Sequence, residues 1–163
     1  MEDLEFEKIS MEHGKELMDI FNYYSLNSFS AYSERSLPVE FFGKFIELSK
    51  GYPAYTIKLQ GKIVGFCLMR AYNSFPAFNK TVEISYFISN EYVGKGLGKM
   101  ALTKLETDAK EMGIKTILAS ITSENIQSLE FHKKYGFVEC GRFSEIGVKF
   151  GKTFDIIWMS KKL

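Results

Sequence analysis

Hydrophobic and polar positions alternate along the first part of the chain. The segment Leu4–Ile9 places its apolar residues with the period of a strand. From His13 to Leu26 the period changes, and Leu17, Ile20, Phe21 and Tyr24 recur at helical spacing. The run "SLPVEFFGKFIELSKG" carries Pro38 near a helix start and Gly51 just past its end. In "AYTIKLQGKIVGFCLMRAY" two β-rich runs flank Gln60-Gly61, which predicts a hairpin. "KTVEISYFIS" predicts a further strand. Leu97, Ala101, Leu105, Ala109 and Met112 form a helical stripe, with Gly113 as its C-terminal cap. "KTILASI" predicts a short buried strand, and 125–135 a second helix of this half. "GFVECGRFSEIGV" and "FDIIWMS" predict two closing strands. The order β-α-α-β-β-β-α-β-α-β-β indicates an α+β (mixed α/β) fold. One central, mostly antiparallel mixed sheet is expected, flanked by helices.

Length and charge narrow the class. The 163 residues fit a single domain spanning 1–163, and 45% hydrophobic residues can fill a core. A net charge of +1 gives no general attraction to nucleic acid or an anionic membrane. No apolar run approaches the ~20 residues of a membrane span. The acidic start "MEDLEFEKIS" has no signal-peptide character, so a cytoplasmic protein is expected. Cys67 and Cys140 lie far apart and match no metal spacing. They are expected as two buried free thiols in a reducing compartment. His13 is expected on the surface. No metal or redox cofactor is indicated.

The stretch "NEYVGKGLGKMALTKLE" follows a strand and opens a helix. Glycines let successive N–H groups converge, and a helix N-terminus adds partial positive charge. Lys95 and Lys99 stand beside it. A phosphate or pyrophosphate suits such a site, and a ligand-free tight turn is the alternative. Spacing excludes the two common nucleotide loops. Lys99 follows Gly94 by five residues, which breaks the G-x-x-x-x-G-K-[ST] pattern. Lys99 also stands where G-x-G-x-x-G needs its third glycine.

"GKGLG" after "ISYFIS" resembles the acyl-CoA pyrophosphate loop of the GNAT N-acetyltransferase superfamily, whose usual motif is Gln/Arg-x-x-Gly-x-Gly/Ala. Gly96 and Gly98 match, while Val93 holds the Gln/Arg position. "SENIQSLEFHKKYGF" resembles the second signature, with Asn125, Gly136 and Phe137 in place. Within the superfamily the chain resembles the phosphinothricin and methionine sulfone/sulfoximine acetyltransferase group. The matching stretches are "IFNYY", "GYPAYTIKLQGKIVGF", "TVEISYFIS", "GKGLGKMAL", "SENIQSLEFHKKYGF" and "EIGVKFGKTFDIIWM", collinear over almost the whole chain. The resemblance implies a GNAT-like fold, acetyl-CoA as co-substrate and a homodimer. It implies that Gly94, Lys95, Gly96, Leu97, Gly98 and Lys99 wrap the pyrophosphate. It also places Tyr86, Phe87 and Ile88 along the pantetheine arm through their backbone, with Asn125 and Lys134 facing the cofactor.

Two residues are candidates for the chemistry. Strand periodicity puts Val82, Ile84, Tyr86 and Ile88 on one face, and Thr81, Glu83, Ser85, Phe87 and Ser89 on the other. By position alone Glu83 is a mid-strand carboxylate on the polar face. The resemblance implies that it is the general base for the acceptor amine. Partial burial would strengthen a carboxylate as a base, and a water relay could carry the proton. Ser128, His132 and Tyr135 share a helix face. The resemblance implies that His132 protonates the leaving thiolate or bonds the cofactor, and a packing histidine is the alternative. Asn125 also suits a helix N-cap.

The segment "AYNSFPAFNK" matches the family's acceptor pocket, which implies Asn73, Phe75 and Phe78 as substrate-binding residues beside Glu83. Arginines that would grip a carboxylate are expected at the first two places. Asn73 and Phe75 stand there instead, which favours a small amine less acidic than phosphinothricin. Tyr23, Tyr24 and Tyr32 are candidate aromatic walls, with core packing as the alternative. Two further readings stay open: acetylation of a protein N-terminus or ribosomal protein, and a CoA-binding sensor without turnover.

Overall fold

The computed structural model describes residues 3–163. Seven strands and four helices follow the predicted order: β1 (Leu4–Lys8), α1 (Gly14–Asn27), α2 (Phe42–Leu48), β2 (Ala54–Leu59), β3 (Lys62–Ala71), β4 (Thr81–Ile88), α3 (Leu97–Glu111), β5 (Thr116–Thr122), α4 (Ile126–Lys134), β6 (Val138–Lys149) and β7 (Lys152–Lys162). Gln60 and Gly61 both take positive φ, at 51° and 73°. That is the turn geometry that lets β2 and β3 pair with their natural twist. α2 is shorter than its pattern suggests, because a 3-10 turn over Val39–Phe41 takes its first residues. Among the described residues no helix is long and apolar enough to cross a membrane.

The strands form one sheet in the order β1-β2-β3-β4-β5-β7-β6. Every neighbouring pair is antiparallel except β4 and β5. α3 and α4 cover one face, where Leu97, Ala101, Leu105 and Leu129 pack on Val82, Ile84 and Ile88. α1 and α2 cover the other, where Leu17, Phe21 and Phe42 pack on Phe66 and Leu68, with Phe87 against them. Alternation along β4 therefore turns Glu83 toward the α1/α2 side.

The parallel pair is short. Only Thr81–Thr116, Val82–Ile117 and Glu83–Leu118 are in register. Beyond them β4 runs on to Ile88 and β5 to Thr122, and the two strands part.

Three expectations are corrected. Cys67 is buried but Cys140 is exposed. Glu139 opposes Met159 and Gly141 opposes Trp158, so Cys140 is the extra residue of a bulge on an edge strand. Met112 is exposed because α3 ends at Glu111 and Met112 caps it. His13 is largely covered and pairs with Glu7, Nε2 to Oε1 at 3.1 Å.

Candidate active site

A cleft of about 490 Å³ opens where β4 and β5 part. Residues Ile84 to Ile88 form one wall and Ala119 to Thr122 the facing one. The glycine loop closes one end and α4 lies alongside. Phe29, Ser30 and Tyr32, from the connection after α1, complete the lining.

At the glycine loop, Gly94 and Gly96 have φ of +80° and +85°. That left-handed conformation is costly for any residue with a Cβ. Gly96 is the N-cap of α3, and no side chain caps the helix. Met100 N–H bonds the Gly96 carbonyl at 3.2 Å. The N–H groups of Leu97, Gly98 and Lys99 precede that first turn and have no intrahelical partner. Gly94, Gly96, Gly98 and Lys99 line the cleft. The side chain of Leu97 is buried in the core, so Leu97 can contribute only its N–H. Lys95 turns its ammonium over the Tyr92 ring, 4.8 Å from the centroid. This donor set, a helix N-terminus with a lysine at its first turn, fits a phosphate or pyrophosphate anion. Val93 adds no polar group.

His132 is 3% exposed and sits between two hydrogen bonds. Its Nδ1 lies 2.7 Å from the Ser128 carbonyl, which can only accept. Nδ1 therefore carries the proton, and the bare Nε2 accepts from the Tyr86 hydroxyl. Burial lowers the His132 pKa, partly offset by the Ser128 carbonyl. The ring is thus neutral near pH 7, and burial likewise raises the Tyr86 phenol. The proton shared by the pair belongs to the Tyr86 hydroxyl, and Tyr86 and His132 both line the cleft. The sequence singled out Tyr86 for its backbone alone, and nothing in the strand pattern reveals the hydroxyl's partner on α4.

Asn125 caps α4, accepting from Ser128 N–H at 3.1 Å. Its amide also donates to the Ser30 hydroxyl at 3.0 Å. Tyr24 donates its hydroxyl to the Ile88 carbonyl at 2.5 Å. Lys134 lines the cleft beside Tyr135. Tyr24 and Tyr32 line it as well, whereas Tyr23 does not. Phe29, Ser30 and Phe131 were not singled out by the sequence, whereas helical spacing had already put Ser128 on the His132 face.

Glu83 stands beside the cleft, at the last register pair before the strands part. Arg70, its cross-strand partner, grips both carboxylate oxygens, with Nε at 3.2 Å and Nη2 at 3.3 Å. Asn73, Phe75 and Phe78 lie outside the cleft lining. Asn73 accepts from Phe75 N–H at 3.0 Å, closing a turn. Phe75 is 70% exposed, and Phe78 packs on Tyr72 with ring centroids 5.7 Å apart.

A mixed sheet parted between its two parallel strands, with a glycine-opened helix at the gap, makes a cleft for a phosphate-bearing ligand with a carboxylate beside it. The chain belongs to the Acetyltransferase (GNAT) family, which it matches over residues 17–137. It is 28% identical to the L-methionine sulfoximine/L-methionine sulfone acetyltransferase of Salmonella typhimurium over 149 residues, 90% of this chain and 87% of that one. It is 34% identical to the L-amino acid N-acyltransferase MnaT of Escherichia coli over 113 residues, 69% of this chain and 66% of that one. Its fold matches that of yncA from Salmonella typhimurium, solved with its cofactor acetyl-CoA. The TM-score is 0.87 at 25% identity, over 98% of this chain and 93% of that one.

Proposed function

We propose that the protein moves an acetyl group from acetyl-CoA to the amine of a small amino-acid-like molecule, with both bound at once and Glu83 as general base. One observation carries this reading. The glycine-opened helix lies on the α3/α4 side of the sheet, and Glu83 faces the α1/α2 side, at the point where β4 and β5 separate. Two reactants can therefore approach the gap from opposite faces without competing for one pocket, and holding them together supplies much of the rate.

Acetyl-CoA supplies an acetyl group already activated as a thioester. The N–H groups around Gly94, Gly96 and Gly98, with Lys99, would hold its pyrophosphate, and Lys95 adds charge nearby. The β4 edge at Tyr86, Phe87 and Ile88, no longer paired to β5, offers backbone groups to an extended arm. Lys134 and Asn125 flank it. An alkyl ammonium titrates near ~10, so an acceptor amine must lose a proton before it can attack. The Glu83 carboxylate takes that proton directly or through a water, held in place by Arg70. Tyr86, hydrogen-bonded to His132, is the proton source on the opposite face.

The names of the relatives support an amino-acid analogue as acceptor. Asn73, Phe75 and Phe78 lie on an exposed turn with no arginine to pair a second anionic group, which favours a sulfone or sulfoximine side chain over the phosphinate of phosphinothricin. The reading includes a homodimer, because β6 is an edge strand exposing Val138, Phe143, Ile146 and Val148. Thiol release with an amine panel tests the proposal. Methionine sulfone and sulfoximine should react faster than phosphinothricin. Turnover only on peptide N-termini would replace the small-molecule reading. Acetyl-CoA binding without turnover on any amine would make the protein a sensor.

A further inference from the structure

Lys149 is the last residue of β6 and is 1% exposed. A lysine that deep normally faces a carboxylate. Here the ammonium donates instead to three main-chain carbonyls: Ser25 at 2.7 Å, Ser28 at 2.6 Å and Ala31 at 2.5 Å. Its three N–H donors are all used. The acceptors are the end of α1 and the first residues after it, where helix carbonyls lack intrahelical partners and the helix dipole is negative. Burial lowers the Lys149 pKa, and Glu34 partly offsets this.

The segment that Lys149 holds is a wall of the cleft. Phe29, Ser30 and Tyr32 line it. Phe29 packs edge-on against Phe150 and Phe154, and Tyr32 stacks on Phe154. The Glu34 carboxylate accepts from Phe150 N–H. On its other side, Thr122 donates to the Phe29 carbonyl at 3.3 Å and Asn125 to the Ser30 hydroxyl at 3.0 Å. The connection is thus clamped between the β6–β7 hairpin and the α4 cap. It continues α1, which covers the face toward which Glu83 turns.

We propose that Lys149 is a positioning residue for the acceptor: its ammonium gathers the Ser25, Ser28 and Ala31 carbonyls and so holds the wall formed by Phe29, Ser30 and Tyr32. The inference rests on the acetyl transfer proposed above. The wall shares its cleft with the glycine loop, but Lys149 bonds only the Ser25, Ser28 and Ala31 carbonyls and no residue of that loop, so its loss should reach the acceptor before the pyrophosphate.

The test compares wild type with Lys149→Met and the milder Lys149→Gln. Three readouts are used: steady-state kinetics with the best amine of the panel, acetyl-CoA titration calorimetry, and hydrogen–deuterium exchange. The amine KM should rise about tenfold in Lys149→Met and less in Lys149→Gln, while kcat and the acetyl-CoA Kd stay within about twofold. Faster amide exchange should be confined to residues 28–33. An unchanged amine KM overturns the proposal, as does a KM rise matched by weaker acetyl-CoA binding. If neither variant folds, Lys149 serves the whole fold and the positioning role is refuted. A wild-type protein that acetylates no amine refutes the proposed reaction itself. Localised exchange would then show the fastening alone, and the acceptor role would fall.

Discussion

The Tyr86 hydroxyl donates to Nε2 of His132, and the two rings stack with centroids 5.6 Å apart and planes 13° from parallel. One residue comes from β4 and the other from α4. With Nδ1 held by the Ser128 carbonyl, the pair admits one arrangement of protons while His132 is neutral. A second proton on the ring would sit on Nε2, where the Tyr86 hydroxyl now donates.

A pH dependence of stability follows. Burial depresses the His132 pKa in the folded state below its ordinary value of 6.5. The unfolded chain then binds a proton that the folded chain resists. The contribution of neutral His132 is complete above that ordinary value and is lost as pH falls through the folded pKa. Between pH 7 and 5 the melting temperature of wild type should drop by a few degrees more than that of His132→Gln, on the order expected for ~1 kcal/mol. Parallel melting curves across that range would mean that His132 does not titrate with folding.

Glu83→Gln keeps the side chain's volume and one of the two acceptors that Arg70 grips, and removes the base. Amine acetylation should fall about a hundredfold or more in kcat/KM, the usual size of a general-base effect. Acetyl-CoA affinity should be unchanged, since Glu83 is turned away from the glycine loop. Steady-state kinetics and calorimetry separate these effects. Unchanged turnover from about pH 6 to 9 would place the base elsewhere.

The elements were legible because local pattern dictates them. Gln60-Gly61 announced the hairpin, and the Leu97–Ala101–Leu105–Ala109 stripe announced α3, since both signals lie within one turn or one helix face. The glycine loop was legible for the same reason. The cleft was not. It depends on β4 and β5 pairing for only three residues, and a strand period of two says nothing about where a ladder stops. Lys149 was equally hidden. Its three carbonyl partners lie 118 to 124 positions away, and a lysine in "GVKFG" reads as a solvated strand residue. Cys140 misled because a bulge shifts its register and leaves no trace in composition.

At the glycine loop the open question is which feature limits cofactor binding. A Cβ on Gly96 would meet nothing within 4 Å, so the constraint is its φ of +85° rather than crowding. Gly96→Val must move the N-cap of α3 out of the left-handed region or bear the strain, about 1–2 kcal/mol or more for a β-branched residue. Acetyl-CoA affinity should fall roughly tenfold or more with it. Val93→Gln leaves the N–H groups in place, and Val93 is already exposed. Its affinity should change by no more than about threefold, the worth of one solvent-exposed hydrogen bond. Calorimetric titration of both variants decides whether the backbone carries the site.

Gly65 tests the same wall from behind. It opposes Ile88 in the β3–β4 ladder, and a Cβ there would stand 2.4 Å from the Phe87 carbonyl oxygen and 3.1 Å from the Ile88 Cα. Those are main-chain atoms, which cannot rotate aside as a side chain would. Gly65→Ala must therefore push β4 away from β3 at the residues that line the cleft. Overpacking of this kind costs about 1–3 kcal/mol, which should lower the melting temperature measurably. Because the displaced backbone is that of Phe87 and Ile88, acetyl-CoA affinity should weaken together with stability. A variant that melts earlier yet binds acetyl-CoA as wild type does would show that this edge of β4 does not hold the cofactor.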